Sequence, residues 1–363
     1  MPTLLLKTLY SAIVIFALFA SSHTLAHAQN FDVQKLSDGV YAVIRREPPG
    51  LMFDANNVFI INERDVVVVD ANFSLASTRE VLAALRKLTD KPVSFVINTH
   101  WHDDHITGNQ IYREAFPQVE FIGHESAVAD IAGMGERNRK GLQENTPRLI
   151  KMFREQVEKK KNLAGQEMTE EERVSYLKDA GLLERYLESI PSLQIIAPTL
   201  LLKDRLTLRR GARTIEVMHL GRGHTPADLV VYLPQEGILI TGDLVVHPVP
   251  LVGSTSLPAD YAATLERLLE LKPKIIVPGH GAVMREDSYV RAMIRLLNSI
   301  RQQAEAAVRR GETLEQARKS VNLEEFRKEF AGASQMKSFI FQTYVVAPGV
   351  EAAFRQAQAK PQN

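Results

Sequence analysis

The chain has no cysteine among its 363 residues, so disulfide bonds cannot hold it together. It also has no excess of charge of either sign, because 44 lysines and arginines against 43 aspartates and glutamates leave a net charge of +1. No basic stripe interleaved with aromatic residues is present, which argues against a nucleic acid partner. What remains is a chain whose 45% hydrophobic content allows one large domain with a substantial core.

The first 28 residues have the pattern of a secretory signal. Lys7 is followed by an apolar run over residues 9–20, and the sequence Ala-His-Ala at residues 26–28 precedes Gln29. The apolar run is short for a membrane span of about 20 residues, which favours a cleaved signal over an anchor. We therefore predict cleavage after Ala28 and export of the mature chain, periplasmic or secreted, without a stable membrane span.

The rest of the chain divides by composition. Residues 29–290 form a predicted α/β domain, in which strand patterns alternate with short helical ones over 31–123 and 196–286. Residues 125–195 carry charge runs among leucines at helical spacing, which predicts a helical insertion between these halves. Residues 291–363 are predicted to be a C-terminal helical extension. We expect the charge runs to lie on a solvated pair of helices, and the insertion, placed between the two halves, to cover a pocket or to mediate dimer contacts, so an oligomer stays open.

Histidine is concentrated in the segment Thr99-His100-Trp101-His102-Asp103-Asp104-His105, which follows a predicted buried strand over residues 93–99. His100 and His102 are two residues apart and point to one side in extended backbone. Asp104 and His105 follow in a turn and can face a second ion. Because imidazole and carboxylate are the usual ligands of zinc and similar ions, the segment predicts a metal site with room for two metals.

Other strand ends carry the same residue types. Strand-like runs lead to His224 in a Gly-His-Thr sequence, to Asp243 in Thr-Gly-Asp and to His280 in Pro-Gly-His-Gly. Asp70 closes a run of four valines at residues 66–69. Glycine beside His224, Asp243 and His280 lets the backbone turn tightly or approach a ligand closely. These residues therefore extend the candidate metal site.

Taken in order, the motifs resemble the metallo-β-lactamase fold superfamily over residues 66–281. The resemblance implies a four-layer αββα sandwich, to which the helical insertion and the C-terminal helices are added, with a binuclear metal site on one edge. It also implies a metal-bridging hydroxide as the nucleophile, so no activated serine or cysteine is needed. The implied ligands are His100, His102 and His224 for the first metal, Asp104, His105 and His280 for the second, and Asp243 as the bridge.

Neighbouring residues have separate expected roles. Asp104 is also the candidate catalytic residue, because it can hold the attacking oxygen and pass on its proton. Asp70 is expected to support a ligand from behind rather than to bind metal. Trp101 is expected to pack under the site. Three histidines match no motif position and are left as surface or core residues: His124, His219 and His247.

The reaction is expected to be hydrolysis, with the substrate class open. An aspartate at position 243 is similar to the glyoxalase II and lactonase branches, and Val246 stands where many zinc β-lactamases have a lysine for the substrate carboxylate. We therefore expect an exported enzyme with two Zn²⁺ ions per chain that cleaves an ester, thioester or lactone, although Fe or Mn would tolerate the same ligands. The resemblance of residues 223–234 to zinc β-lactamases, together with export, favours the alternative of a β-lactam hydrolase.

The same ligand residues are also compatible with redox chemistry. Sulfur dioxygenases of the same superfamily use a similar ligand set with a single iron, which would make the chain an oxidoreductase. A non-catalytic binding role is disfavoured because all seven ligand positions are kept.

The loops at residues 46–53 and 246–258 are expected to form the walls of the pocket for a small-molecule substrate. Their apolar content indicates a substrate with a hydrophobic portion. Residues 51–53 follow a Pro-Pro-Gly turn and suit either an exposed flap or a packed loop.

Overall fold

The computed structural model describes residues 30–253 and 255–359, so the secretory signal predicted over residues 1–28 lies outside the described residues. Within these ranges no helix is both long and apolar enough to cross a membrane. The described strands are β1 (Phe31–Ser37), β2 (Val40–Arg45), β3 (Asn57–Ile61), β4 (Val66–Val69), β5 (Val93–Ile97), β6 (Glu120–His124), β7 (Leu200–Leu202), β8 (Arg205–Arg210), β9 (Arg213–Met218), β10 (Val230–Leu233), β11 (Ile238–Ile240) and β12 (Ile275–Val277).

The α-helices of the same ranges follow in chain order. Short π-helical segments occupy Ile131–Gly135 and Gln342–Val346, and short 3-10 segments occupy Ile190–Ser192 and Gly242–Leu244. The α-helices are α1 (Leu75–Leu88), α2 (Asp103–Ile106), α3 (Asn109–Ala115), α4 (Ala127–Asp130), α5 (Glu136–Lys159), α6 (Glu170–Ser189), α7 (Pro258–Glu270), α8 (Ser288–Arg309), α9 (Leu314–Ser320), α10 (Glu324–Ala331), α11 (Gln335–Phe341) and α12 (Ala347–Ala359).

The strands form two sheets. The first sheet has the order β1 to β7, with antiparallel pairs as far as β4 and parallel pairs from β4 to β7. The second has the order β12-β11-β10-β9-β8, in which only β11 and β12 are parallel. The predicted boundary of the second half at residue 196 differs from this arrangement, because β7 pairs with β6 and extends the first sheet.

The four valines of β4 are buried on both faces of the first sheet, so this sheet is covered on both sides. Val67 and Val69 belong to the apolar core between the two sheets, whereas Val66 and Val68 pack with side chains of α1 and α3 on the outer face. The outer face of the second sheet is covered by an apolar cluster that includes α7 and α8. The order of layers is therefore helix, sheet, sheet, helix, and the αββα sandwich expected from the sequence is confirmed.

Strand pairing brings the predicted motifs to one edge of the sandwich. Val69 lies opposite Ile97 in the parallel pair β4 and β5, so the segments that follow both strands emerge side by side. Ile240 lies opposite Val277 in the parallel pair β11 and β12, with the same result in the second sheet. The connection from β9 to β10 lies at this end as well, because β10 begins beside the end of β11.

The insertion consists of α4, α5 and α6 and packs tightly against the rest of the chain. A capping box starts α6, in which the Thr169 side chain accepts a hydrogen bond from the Glu172 backbone N–H and the Glu172 carboxylate accepts one from the Thr169 backbone N–H. The inner side of α6 buries Tyr176 and Tyr186. The segment is thus a helical layer with its own buried contacts, and its charge runs at residues 136–140 and 159–161 lie largely on the exposed side.

The loop over residues 46–53 is fixed from two directions. Asp179 of α6 accepts hydrogen bonds from the backbone N–H groups of Leu51 at 2.8 Å and Met52 at 3.1 Å. The Tyr344 hydroxyl, from the C-terminal extension, donates to the Leu51 carbonyl at 2.6 Å. Of the two conformations left open by the sequence, the structure has the packed loop.

We expect Asp179→Asn to loosen this loop, because the change removes the charge of a buried acceptor and one of its two carboxylate oxygens. The expected loss is about 1 to 3 kcal/mol in the free energy of unfolding in urea, with faster hydrogen exchange at the Leu51 and Met52 amides. Glu184→Gln is the control, since Glu184 forms an exposed pair with Arg154 and should change stability by about 0.5 kcal/mol or less. Unchanged exchange at both amides would contradict the anchoring role of Asp179.

Candidate metal centre

Four of the predicted ligands meet at the edge where β5, β9 and β11 end. His102 Nδ1 lies 3.0 Å from His100 Nε2 and 3.0 Å from His224 Nε2. Asp243 Oδ2 lies 3.6 Å from His224 Nε2 and 4.0 Å from His100 Nε2. These ligand atoms all lie within 4.8 Å of one another, so one cation could contact all four.

The other three predicted ligands form a second group beside the first. Asp104 Oδ2 lies 3.1 Å from His280 Nε2 and 3.4 Å from His105 Nε2. Asp243 Oδ1 faces the same two nitrogen atoms, at 3.2 Å from His280 Nε2 and 3.3 Å from His105 Nε2. Asp243 therefore presents one oxygen to each group, the position in which the sequence motifs predict a bridging ligand.

The ligand atoms of both groups can all be satisfied by divalent cations, whereas they cannot all form hydrogen bonds with one another. One N–H serves one acceptor, so the three ring nitrogens that converge at His102 Nδ1 cannot all be paired among themselves. In the described part of the chain, His105 Nε2, His280 Nε2 and Asp243 Oδ1 are buried, and the contacts of 3.3 Å and 3.2 Å that the two nitrogens make with this oxygen lack the geometry of hydrogen bonds. Nitrogen and carboxylate oxygen without sulfur is a donor set that zinc, iron and manganese accept. The residues present therefore fit two metal ions.

The pKa values of the histidines differ between the two groups. Burial lowers the pKa of His102 to about 3, assisted by the nearby His224, which keeps the ring neutral and available as a ligand. Burial also acts to lower the pKa of His280, but the carboxylates of Asp243 and Asp104 outweigh it and raise this pKa to about 10. A cation at the second group therefore replaces protons that balance the two carboxylates.

Asp70 holds His105 from behind, as the sequence predicts. Its Oδ2 lies 2.9 Å from His105 Nδ1, which leaves Nε2 of that ring facing the second group. Its two oxygens also accept from the Thr99 backbone N–H and hydroxyl, each at 2.8 Å. Asp70 has a positive φ of 60°, and its carboxylate points away from both ligand groups toward their support.

Two supporting contacts have no signal in the sequence. The Asp54 backbone carbonyl lies 3.2 Å from His280 Nδ1 and orients that ring. The Tyr261 hydroxyl donates to the carbonyl of Asp243 at 2.8 Å and fixes the backbone of the bridging residue. Because a carbonyl acts through the backbone and Tyr261 belongs to the buried face of α7, neither residue differs by its local pattern from ordinary core positions.

Gly279 explains one of the glycines next to the ligands. A Cβ atom at this position would lie 2.0 Å from Asp243 Oδ1, too close for any side chain. The glycine is therefore required for the close approach of the His280 loop to Asp243.

A cavity of about 360 Å³ opens over the two groups. His102, Asp104 and Asp243 form its floor, and the side chain of Asp104 is 19% exposed to it. Asn138 of α5 and Tyr344 of the C-terminal extension form part of its wall. The insertion therefore contributes to the pocket, as expected, and so does the extension, which the sequence did not indicate.

The remaining histidines among the described residues lie away from the two groups. His124 and His219 pack against each other with ring centroids 4.4 Å apart, and His219 Nδ1 lies 2.9 Å from the Asp228 carbonyl. His247 lies in the wall of a neighbouring cavity. Trp101 is buried with its ring 4.4 Å from that of His102, so it packs beneath the site.

The chain therefore belongs to a class of proteins in which two packed sheets carry two groups of His and Asp ligands at one edge. The family model described as "Metallo-beta-lactamase superfamily" matches residues 51–280. This match covers more than half of the chain, which therefore belongs to the metallo-β-lactamase superfamily. Members of this superfamily include metal-dependent hydrolases, and the two ligand groups of this chain suit that class of enzyme.

Individual relatives are distant. A linear primary-alkylsulfatase from Pseudomonas sp. is 24% identical over 241 residues, which are 64% of this chain and 42% of the relative. A type 2 metallo-β-lactamase from Bacteroides fragilis is 23% identical over 262 residues, 70% of this chain and 80% of the relative. The solved metallo-β-lactamase from Pontibacter korlensis is 18% identical with a TM-score of 0.51, covering 74% of this chain and 99% of that one. The chain thus spans less than half of the alkylsulfatase, and the solved structure shares the fold.

We predict that metal content will separate the two ligand groups. The full-length protein should hold about two metal ions per chain, and His280→Ala should hold about one because only the second group loses a ligand. Asp243→Ala should hold fewer than His280→Ala, since Asp243 faces both groups. Plasma mass spectrometry of the purified variants measures this directly. His219→Ala is the control and should keep the full content; an Asp243→Ala variant that does the same would show that the groups are misassigned.

Proposed function

We propose that this chain is an exported zinc-dependent hydrolase that cleaves an ester, thioester or lactone. The observation that carries the proposal is the position of Asp243, with one carboxylate oxygen facing each of two ligand groups at the floor of a cavity. The all-nitrogen-and-oxygen donor set supports zinc. Export rests on the signal pattern of residues 1–28, which lie outside the described residues.

The residues of the site divide the work of hydrolysis. Divalent cations, when bound, supply the Lewis acidity that lowers the pKa of water and polarises a scissile carbonyl. Asp104 reaches into the cavity, where it can accept a proton on a carboxylate oxygen and return it to the leaving group. His100 and His105 are buried beneath, so they hold their ring nitrogens in place and keep water from the protein side of the site.

A sulfate ester and a β-lactam are the candidate substrates that the relatives add. The alkylsulfatase supports an ester with an alkyl portion, and the side chains of Phe53, Leu251 and Pro348 in the wall of the cavity suit such a substrate. The Bacteroides relative supports a β-lactam. Val246 carries no charge for the substrate carboxylate, which favours the ester, thioester or lactone over the β-lactam.

The proposal is tested by turnover of a matched panel by the zinc-loaded chain from residue 29. The panel contains an aryl ester, a thioester, a lactone, an alkyl sulfate and a β-lactam. We expect turnover of one or more of the first four, with Asp104→Ala reducing kcat by at least about a hundredfold because it removes both a ligand and the proton acceptor. His219→Ala is the control and should keep turnover within about twofold of the unmodified chain.

Turnover of the β-lactam alone would contradict the proposed substrate class and identify a β-lactam hydrolase. Equal losses in Asp104→Ala and His219→Ala would contradict the assignment of the site. Absence of turnover across the panel, together with oxygen consumption by the iron-loaded chain, would contradict hydrolysis as the reaction.

A further inference from the structure

A second cavity, of about 420 Å³, lies beside the one over the metal centre. Its size is in the range of small-molecule sites. It is bounded by the loop at residues 46–53, the segment at residues 246–249 and α11. The apolar part of its lining includes Pro48, Phe53, Val246, Pro248, Val249 and Ile340.

The two cavities share a wall at Phe53. Its ring lies 5.3 Å from the His280 ring and 5.6 Å from the Tyr344 ring, measured between centroids. His280 lines the second cavity, while its Nε2 faces Asp104 and Asp243 in the first. The candidate metal centre therefore lies beside both cavities, and Phe53 is the side chain that a substrate held at the metals would pass to reach the second cavity.

Most charges in the second cavity are paired. Arg45 Nη2 lies 3.0 Å from Asp54 Oδ2, and both side chains are buried. Lys178 Nζ lies 3.0 Å from Asp179 Oδ1 and 3.8 Å from Glu47 Oε2. These cations are therefore already neutralised by carboxylates of the chain.

Lys337 of α11 is different. Its ammonium forms no ion pair and no hydrogen bond with any residue in the described ranges. Its charge adds to burial in lowering the pKa of His247, which places the ammonium near another lining residue. The other charged side chain, Glu171, accepts a hydrogen bond from the Ser334 hydroxyl at 2.6 Å.

We propose that the second cavity binds the end of the substrate that is remote from the scissile bond, and that this end carries an anionic group such as a carboxylate on a short apolar chain. Lys337 is the specificity-determining residue that receives the anionic group. The inference rests on the proposed function, since it takes the metal centre as the place of the scissile group.

Removing an anion from water costs free energy. An anion enters a largely apolar cavity only when a cation there pairs with it. Lys337 can provide that pairing without breaking an ion pair of the protein, whereas Arg45 and Lys178 cannot. The apolar walls between Phe53 and Ile340 suit the methylene chain that joins the two ends of such a substrate.

The test is the binding of dicarboxylates from succinate to suberate to the zinc-loaded chain, measured by calorimetry against monocarboxylates of equal chain length. One carboxylate of each probe can occupy the metal end, so the comparison isolates the second. At the best chain length the dicarboxylate should bind about tenfold tighter. Lys337→Gln should abolish that preference while leaving the monocarboxylates unchanged. Lys319→Gln, at an exposed position of α9 outside the cavity, should preserve it.

Glu171→Gln should have the opposite effect to Lys337→Gln. It removes a carboxylate from the same cavity, so the preference for the dicarboxylate should increase. Equal losses in Lys337→Gln and Glu171→Gln would show that both act through packing and would overturn the proposal. So would the absence of a preference at every chain length. Because the measurement needs no turnover, a binding preference without hydrolysis of the substrate panel would count against the proposed function alone.

Discussion

Asp243 presents one carboxylate oxygen to His100 and His224 and the other to His105 and His280, and the whole site is arranged around that contact. The residues involved are almost completely buried, so their lone pairs and charges have no water to pair with. Without a cation, the second group needs protons to balance its carboxylates, and the imidazole nitrogens that converge in the first group cannot satisfy one another. Bound cations remove this conflict, which couples metal binding to the stability of the fold.

The sandwich and its additions have different tasks. Strand ends of the two sheets position the ligand residues, and strand pairing fixes their spacing. The walls over them come from elsewhere: Asn138 belongs to the insertion, Tyr344 to the C-terminal extension, and the loop at residues 46–53 is anchored by both. The sandwich therefore positions the ligand residues, whereas the insertion and the C-terminal extension contribute to the walls of the cavity above them.

The sequence was sufficient to locate the layered fold and the ligand positions, because each candidate follows an apolar strand and parallel strands end at the same edge. It was not sufficient for contacts made by backbone or by distant residues. The Asp54 carbonyl behind His280 and the unpaired Lys337 in the second cavity depend on tertiary packing that no local pattern reports. The same holds for β7, a short leucine strand whose partner sheet is decided by the edge available at β6.

The most direct test of the binuclear centre is anomalous diffraction at the zinc absorption edge from crystals of the zinc-loaded protein. We expect two peaks, one among His100, His102 and His224 and one among Asp104, His105 and His280, with Asp243 touching both. A single peak, or peaks at other residues such as His124 and His219, would contradict it.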